Sequence, residues 1–140
     1  MSDYAIMRAA EAPDYTGGAG DPFLGYGRPL GAEQVAVNLR ILQPGSAHVP
    51  PGGDPRGGHH HRTIEEIYLV LEGELTLKLG DDVITLGPRD AARIPAATVR
   101  AARNLGDVPA ALLMISRRVE DLRAESVPVE DFWPAAGDAR

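Results

Sequence analysis

The chain contains no cysteine, which removes disulfides, thiolate metal sites and zinc-finger arrangements from consideration. It is also nearly without lysine: thirteen of its fourteen basic residues are arginine, and against 20 acidic residues the net charge is -6. A chain of that sign, with its arginines scattered, lacks the basic face that general nucleic-acid binding requires, so no nucleic-acid partner is expected. The arginine excess reads as compositional bias, with one exception at Arg100. No apolar run approaches membrane-spanning length. The N-terminal stretch MSDYAIMRAAEAPDY lacks the basic-then-apolar order of a secretion signal. The expectation is a soluble cytoplasmic protein with no membrane partner. Helical periodicity is scarce too, confined to a turn or so within residues 120–125. A chain of 140 residues fits one domain with a real hydrophobic core.

What is abundant is short strand signals separated by turn residues. Residues 1–31 are rich in Gly, Pro, Asp and Tyr and read as an N-terminal arm of short extended pieces, packed on the outside or on a partner chain. In residues 34–42 (QVAVNLRIL) Val35, Val37, Leu39 and Ile41 alternate with Ala36, Asn38, Arg40 and Leu42, a strand pattern. Asn38 and Arg40 share one face, which is either the interior or the exposed side of an edge strand. Residues 45–58 hold five glycines and three prolines, so they read as a loop: a mobile flap over a site, or a plain surface insertion. Further strands follow at 66–71, 74–79, 83–86, 91–94, 98–103 and 110–119, with turns at Glu72-Gly73, residues 80–82, 87–90 and 104–109. About eight strands at this spacing predict an all-β sandwich or closed barrel. Residues 120–140 form a tail in which Phe132 and Trp133 pin the chain to the barrel or to a neighbouring subunit.

Candidate chemistry concentrates in residues 53–73 (GDPRGGHHHRTIEEIYLVLEG). His59 and His61 are two apart, so on an extended strand both imidazoles project from one face. Glu66 can add a carboxylate oxygen, and two His with one carboxylate leave open positions on a metal. The step from His61 to Glu66 is odd, so an unbroken strand would place them on opposite faces; a break near residues 62–64 is required. His60 points away from the His59/His61 face, and His48, in the loop, can fold in as a further ligand. Tyr68 shares a face with Glu66 and is either a proton donor lining the pocket or a core tyrosine.

The stretch resembles the first signature of the cupin family: a glycine, five residues, H-x-H, three or four residues, a glutamate, six residues and a glycine. Gly53, His59, His61, Glu66 and Gly73 fill every position. The resemblance covers roughly residues 35–119. It implies a jelly-roll β-barrel, residues 32–119, holding a metal site to which the first motif gives two histidines and a glutamate and a second motif gives a third histidine. The second motif departs here. Anchored on Pro95 and Asn104, its two glycine positions fall on Arg89 and Ala97, and its histidine position falls on Arg100. A guanidinium stays protonated and has no free lone pair, so it is no ordinary metal ligand.

Three readings follow. In the first, His59, His61 and Glu66 hold a divalent ion (Fe, Mn, Zn or Ni) and Arg100 clamps an anionic ligand. In the second, His48 or His60 replaces the missing histidine. In the third, the barrel is metal-free, Arg100 pairs with Glu66, and the pocket binds a small molecule. Cupins include dioxygenases, decarboxylases and isomerases as well as non-catalytic binding proteins, so the fold selects no activity. The two functional expectations are a metal-dependent enzyme acting on a small anionic molecule, with Tyr68 and Arg100 as its candidate catalytic residues, and a binding or sensing protein without turnover. A homodimer is the expected assembly.

Overall fold

A computed structural model of the chain describes residues 3–133; residues 1–2 and the last part of the predicted tail, 134–140, lie outside the described residues. Ten strands form two antiparallel sheets of five: β1 (Phe23–Gly25), β2 (Val35–Leu42), β3 (Gly58–His61), β4 (Glu66–Glu72), β5 (Leu75–Leu79), β6 (Asp82–Leu86), β7 (Ala91–Ile94), β8 (Arg100–Arg103), β9 (Ala110–Arg117) and β10 (Ser126–Val129). The first sheet runs β1-β2-β9-β4-β7 and the second β10-β3-β8-β5-β6. The expected all-β jelly-roll sandwich is present. Among the described residues no helix is long and apolar enough to cross a membrane.

The arm and the tail each add a strand that the sequence reading did not place. Phe23–Gly25 pairs with β2. Ser126–Val129 pairs with β3, opposite the histidines, so that Pro128 faces His59 and Ser126 faces His61. A proline is tolerated there because β10 is an edge strand. Helix α1 (Leu122–Glu125) is the turn expected near residues 120–125. Strands from the arm and from the described part of the tail therefore pair with the chain's own barrel. Trp133 is buried, with Arg103 5.0 Å from its ring, and Lys78 lies 3.7 Å over the ring of Phe132.

The inward rows change character along the barrel, and that change creates the site. Leu42 on β2, Val70 on β4 and Leu112 on β9 are fully buried, with Leu75, Leu77, Ile94 and Ala102 packed against them. Each such aliphatic side chain contributes about 1.5–3 kcal/mol by leaving water. Toward the other end the same rows read Asn38, Glu66 and Ser116, and the apolar filling stops. Two turns keep the sheets in register at the apolar end. Gly73, at φ +70, has the Pro109 carbonyl 2.5 Å from where a Cβ would sit, which only glycine permits. Asn104, fully buried, donates from Nδ2 to the carbonyls of Leu42 and Val108 and accepts from the Gly106 N–H, closing the 104–109 turn. Arg89, standing in a glycine position of the second motif, keeps the left-handed backbone (φ 70) that glycine adopts more easily.

The break predicted between His61 and Glu66 is real, and Glu125 holds it. Its buried Oε1 accepts from the Thr63 N–H, the Thr63 hydroxyl (2.9 Å) and the Ile64 N–H (2.9 Å). Arg62 adds a backbone N–H to the Glu125 carbonyl (3.0 Å). Glu125→Ala strands these donors and is expected to destabilise the fold by about 1–3 kcal/mol. Urea unfolding should show a lower midpoint at unchanged slope; an unchanged midpoint would remove Glu125 from this role.

Candidate metal centre

His59 and His61 project from β3 into the space between the sheets, and Glu66 meets them from the start of β4. One donor atom from each lies within 4.8 Å of the others. The imidazoles sit edge to face at 5.0 Å between centroids. His61 is 3% exposed and its Nε2 lies 3.0 Å from Glu66 Oε1. The backbone N–H of His61 donates to the Ala96 carbonyl at 2.8 Å, so the 95–97 bend positions the second histidine. His60 faces the other way, its Nδ1 3.2 Å from the His61 carbonyl, as the alternation of a strand requires.

Arg100 occupies the place of the third histidine and is fully buried. Its Nη1 donates to Glu66 Oε1 at 2.7 Å; Nη2 reaches the carbonyls of Pro95 (2.6 Å), Ala96 (3.2 Å) and Thr98 (3.0 Å), and Nε that of Thr98 (3.2 Å). The guanidinium is thus committed to the protein, and Arg100 does not line the cavity. The Arg100–Glu66 pairing that the sequence leaves open is present.

Above the histidines lies a cavity of about 810 Å³. His48, His59, His61, Glu66, Tyr68 and Asn38 are in its wall. His48 comes from the 45–58 loop, whose first part is stitched down: the His48 N–H donates to the Ala102 carbonyl (2.9 Å) and Arg40 Nη1 donates to the Val49 carbonyl (3.1 Å). Its ring sits 6.4 Å from those of His59 and Tyr68, and its Nδ1 is buried without a partner. Arg40 is buried on the inner face of β2 but lies outside the cavity, 5.3 Å over the Phe23 ring. Met114 and Ser116, also in the wall, escaped the sequence reading although they alternate on one face of the 110–119 strand.

The donor set suits a metal ion on chemical grounds. Burial pushes His59 down to about 4, against the opposing pull of Glu66, and pushes His48 down to about 3, helped by the Arg40 charge. Both are neutral at pH 7 and carry free lone pairs. Burial raises the Glu66 carboxyl, but the bonds and charges of His61 and Arg100 outweigh it and bring the group to about 2, an anion at any ordinary pH. His61 Nδ1 is buried without a partner. Tyr68, driven up by burial and by the charge of the nearby Glu66 carboxylate, stays protonated.

The family model of the cupin domain, Cupin_2, matches residues 45–116. The chain belongs to the cupin family. This cupin is similar in structure to a cupin protein from Bacteroides fragilis (24% identity, 88% of this chain and 91% of that one, TM-score 0.66). It is also similar to a protein described as a sugar phosphate isomerase from a cupin superfamily, from Silicibacter pomeroyi (25% identity, 91% and 88%, TM-score 0.63). A third likeness is to TT1209 from Thermus thermophilus (24%, 81% and 96%, TM-score 0.61). No functionally curated protein matches the chain.

The depressed histidines make a stability prediction whose sign is fixed. Below the unfolded value of 6.5 the unfolded chain takes up protons that folded His59 and His48 refuse until about 4 and 3, so stability is lost as pH falls through that window. Glu66 adds a loss between 4.5 and about 2 in the same direction. Thermal melts of metal-free protein should show a falling midpoint from pH 7.5 to 5, with a shallower slope in His59→Gln. Equal midpoints across that range would contradict the burial of these rings.

Proposed function

We propose that this cupin binds a divalent ion of the Fe, Mn, Zn or Ni class through His59, His61 and Glu66, and that it binds or transforms a small anionic molecule in the cavity above. The observation that carries the reading is the convergence of two imidazoles and one ionised carboxylate on the wall of a cavity large enough for an organic ligand. Such an ion would act as a Lewis acid toward a bound oxygen group, or as a platform for oxygen chemistry. His48 is the residue that would supply a fourth donor, since its Nδ1 is unpartnered and its ring neighbours His59; His60 faces away. Tyr68 would donate a hydrogen bond or proton to the ligand from its protonated hydroxyl. Arg100 acts on Glu66 rather than as the anion clamp, because it is fully buried outside the cavity wall and bonded to Glu66 and three carbonyls. The description of the Silicibacter pomeroyi neighbour lends support to a phosphorylated small molecule as one substrate class. The second reading, a binding or sensing cupin without turnover, is favoured by one observation: the Arg100–Glu66 pair satisfies the carboxylate without any ion.

Metal analysis of protein purified without chelators and reconstituted with Fe(II), Mn(II), Zn(II) or Ni(II) should find close to one equivalent in the wild type. His59→Ala should lower it by about tenfold or more. Occupancy of less than about a tenth of an equivalent for every metal would remove the metal from the proposal. With metal bound, turnover or oxygen uptake that is lost in His59→Ala supports the enzyme; ligand binding without turnover supports the binder.

The assembly we propose remains a homodimer, on different grounds from those the sequence offers. The arm and tail are occupied by their own barrel, but the outward face of the first sheet is apolar. Val37, Ile115 and Ile67 align across β2, β9 and β4, with Leu39, Leu113 and Leu69 in the next row, and Ile67 is 41% exposed. A second copy would cover that face. Light scattering at micromolar concentration should give a dimer mass that falls to monomer in Ile67→Glu; a monomeric wild type would end the proposal.

A further inference from the structure

Arginines that look scattered along the sequence are gathered by the fold at one place. Arg28, Arg117, Arg118 and Arg123 all line the cavity. Arg28 belongs to the arm, Arg117 ends β9, Arg118 follows it and Arg123 lies on α1. Arg117 comes one residue after Ser116, which stands opposite Glu66 across β9 and β4, so the cluster begins at the level of the candidate metal centre. Among the described residues, ion pairs within 4.0 Å are made by Arg56, His61, Arg93 and Arg100, and by none of these four. Their bonds go to neutral oxygens: Arg28 Nη2 to the Val119 carbonyl (3.5 Å), Arg118 Nη1 to the Ala32 carbonyl (2.9 Å), Arg117 Nη2 to the Thr63 hydroxyl (3.1 Å). Arg118 Nε is buried with no hydrogen-bond partner among the described residues. The carboxylates of the cavity wall other than Glu66 are Asp54 and Glu130.

In a chain of net charge -6, four guanidinium groups around one cavity repel one another, and among the described residues none has a carboxylate within 4.0 Å. An anion between them relieves that repulsion, and guanidinium forks match the oxygens of carboxylate and phosphate. We propose that these four arginines form the anion subsite of the cavity: the ligand reaches His59, His61 and Glu66 with one end and presents a carboxylate or phosphate to the arginines with the other. The first half of that statement rests on the proposed metal-dependent reading; the anion subsite stands without a metal.

The test uses the full-length, isotope-labelled, metal-free protein titrated with inorganic phosphate and, separately, with succinate, followed by amide chemical shifts. Saturable shifts confined to residues 28–34 and 116–123, with a Kd of about 1 mM or tighter for at least one anion, are expected. The stronger of the two anions tells a phosphate site from a carboxylate site. Arg28→Gln combined with Arg123→Gln, both exposed side chains, should weaken binding about tenfold while leaving the thermal midpoint in place. His59→Ala should bind the anion as the wild type does, which separates this subsite from the metal centre. Saturation by neither anion, shifts that map elsewhere, or equal affinity in the double variant would overturn the proposal.

Discussion

The site depends on one buried ion pair. Arg100, at the position where the family places a histidine, gives Nη1 to Glu66 at 2.7 Å, and its Nη2 and Nε to the carbonyls of Pro95, Ala96 and Thr98. A guanidinium buried this completely is tolerable only when both its charge and its hydrogen bonds are matched, and here both are. The consequence reaches further than Glu66. Ala96, which receives Arg100 through its carbonyl, receives the His61 N–H as well, so one cation fixes the carboxylate, the bend beneath it and the backbone of the second histidine. The three donor residues are held in place by the protein itself.

The same pair sets the terms on which an ion would bind. Glu66 carries one negative charge, and Arg100 and His61 both address its Oε1. A divalent ion would share that carboxylate with a fixed positive charge nearby, a weaker arrangement than a site whose remaining ligand is a neutral imidazole. Two features offset this. His59 and His48 are kept neutral by burial and incur no proton-release penalty on binding, and the anionic ligand proposed for the cavity would bring its charge close to the ion.

Much of the architecture is legible in the sequence because it is local. Alternation in residues 34–42, 74–79 and 110–119 marks strands, and Gly73 and residues 80–82 mark hairpins. The odd spacing from His61 to Glu66 announces the break. What the sequence hides is long-range. Nothing in SVPV indicates that it will lie against the histidines as β10, since its partner is over sixty residues away. The support of the break by Glu125 and the meeting of Arg28 with Val119 are hidden for the same reason. Arg100 could be aligned to the histidine position from spacing, but its orientation depends on carbonyls in a bend whose shape the sequence does not specify.

Arginine therefore does two separate jobs in this barrel, and burial divides them. Arg100 is fully enclosed, meets a carboxylate and a ring of carbonyls, and serves to organise. Arg28, Arg117 and Arg123 are exposed, Arg118 is half-buried, and all four border the cavity without a counter-charge. A residue spent on internal partners has no capacity left for a ligand, while one facing solvent without a carboxylate keeps its full fork available. In the sequence alone, the anion-recognising role falls to Arg100 because it aligns with a motif. The anion subsite proposed above moves that role to arginines that align with nothing, because theirs are the charges without a carboxylate within 4.0 Å.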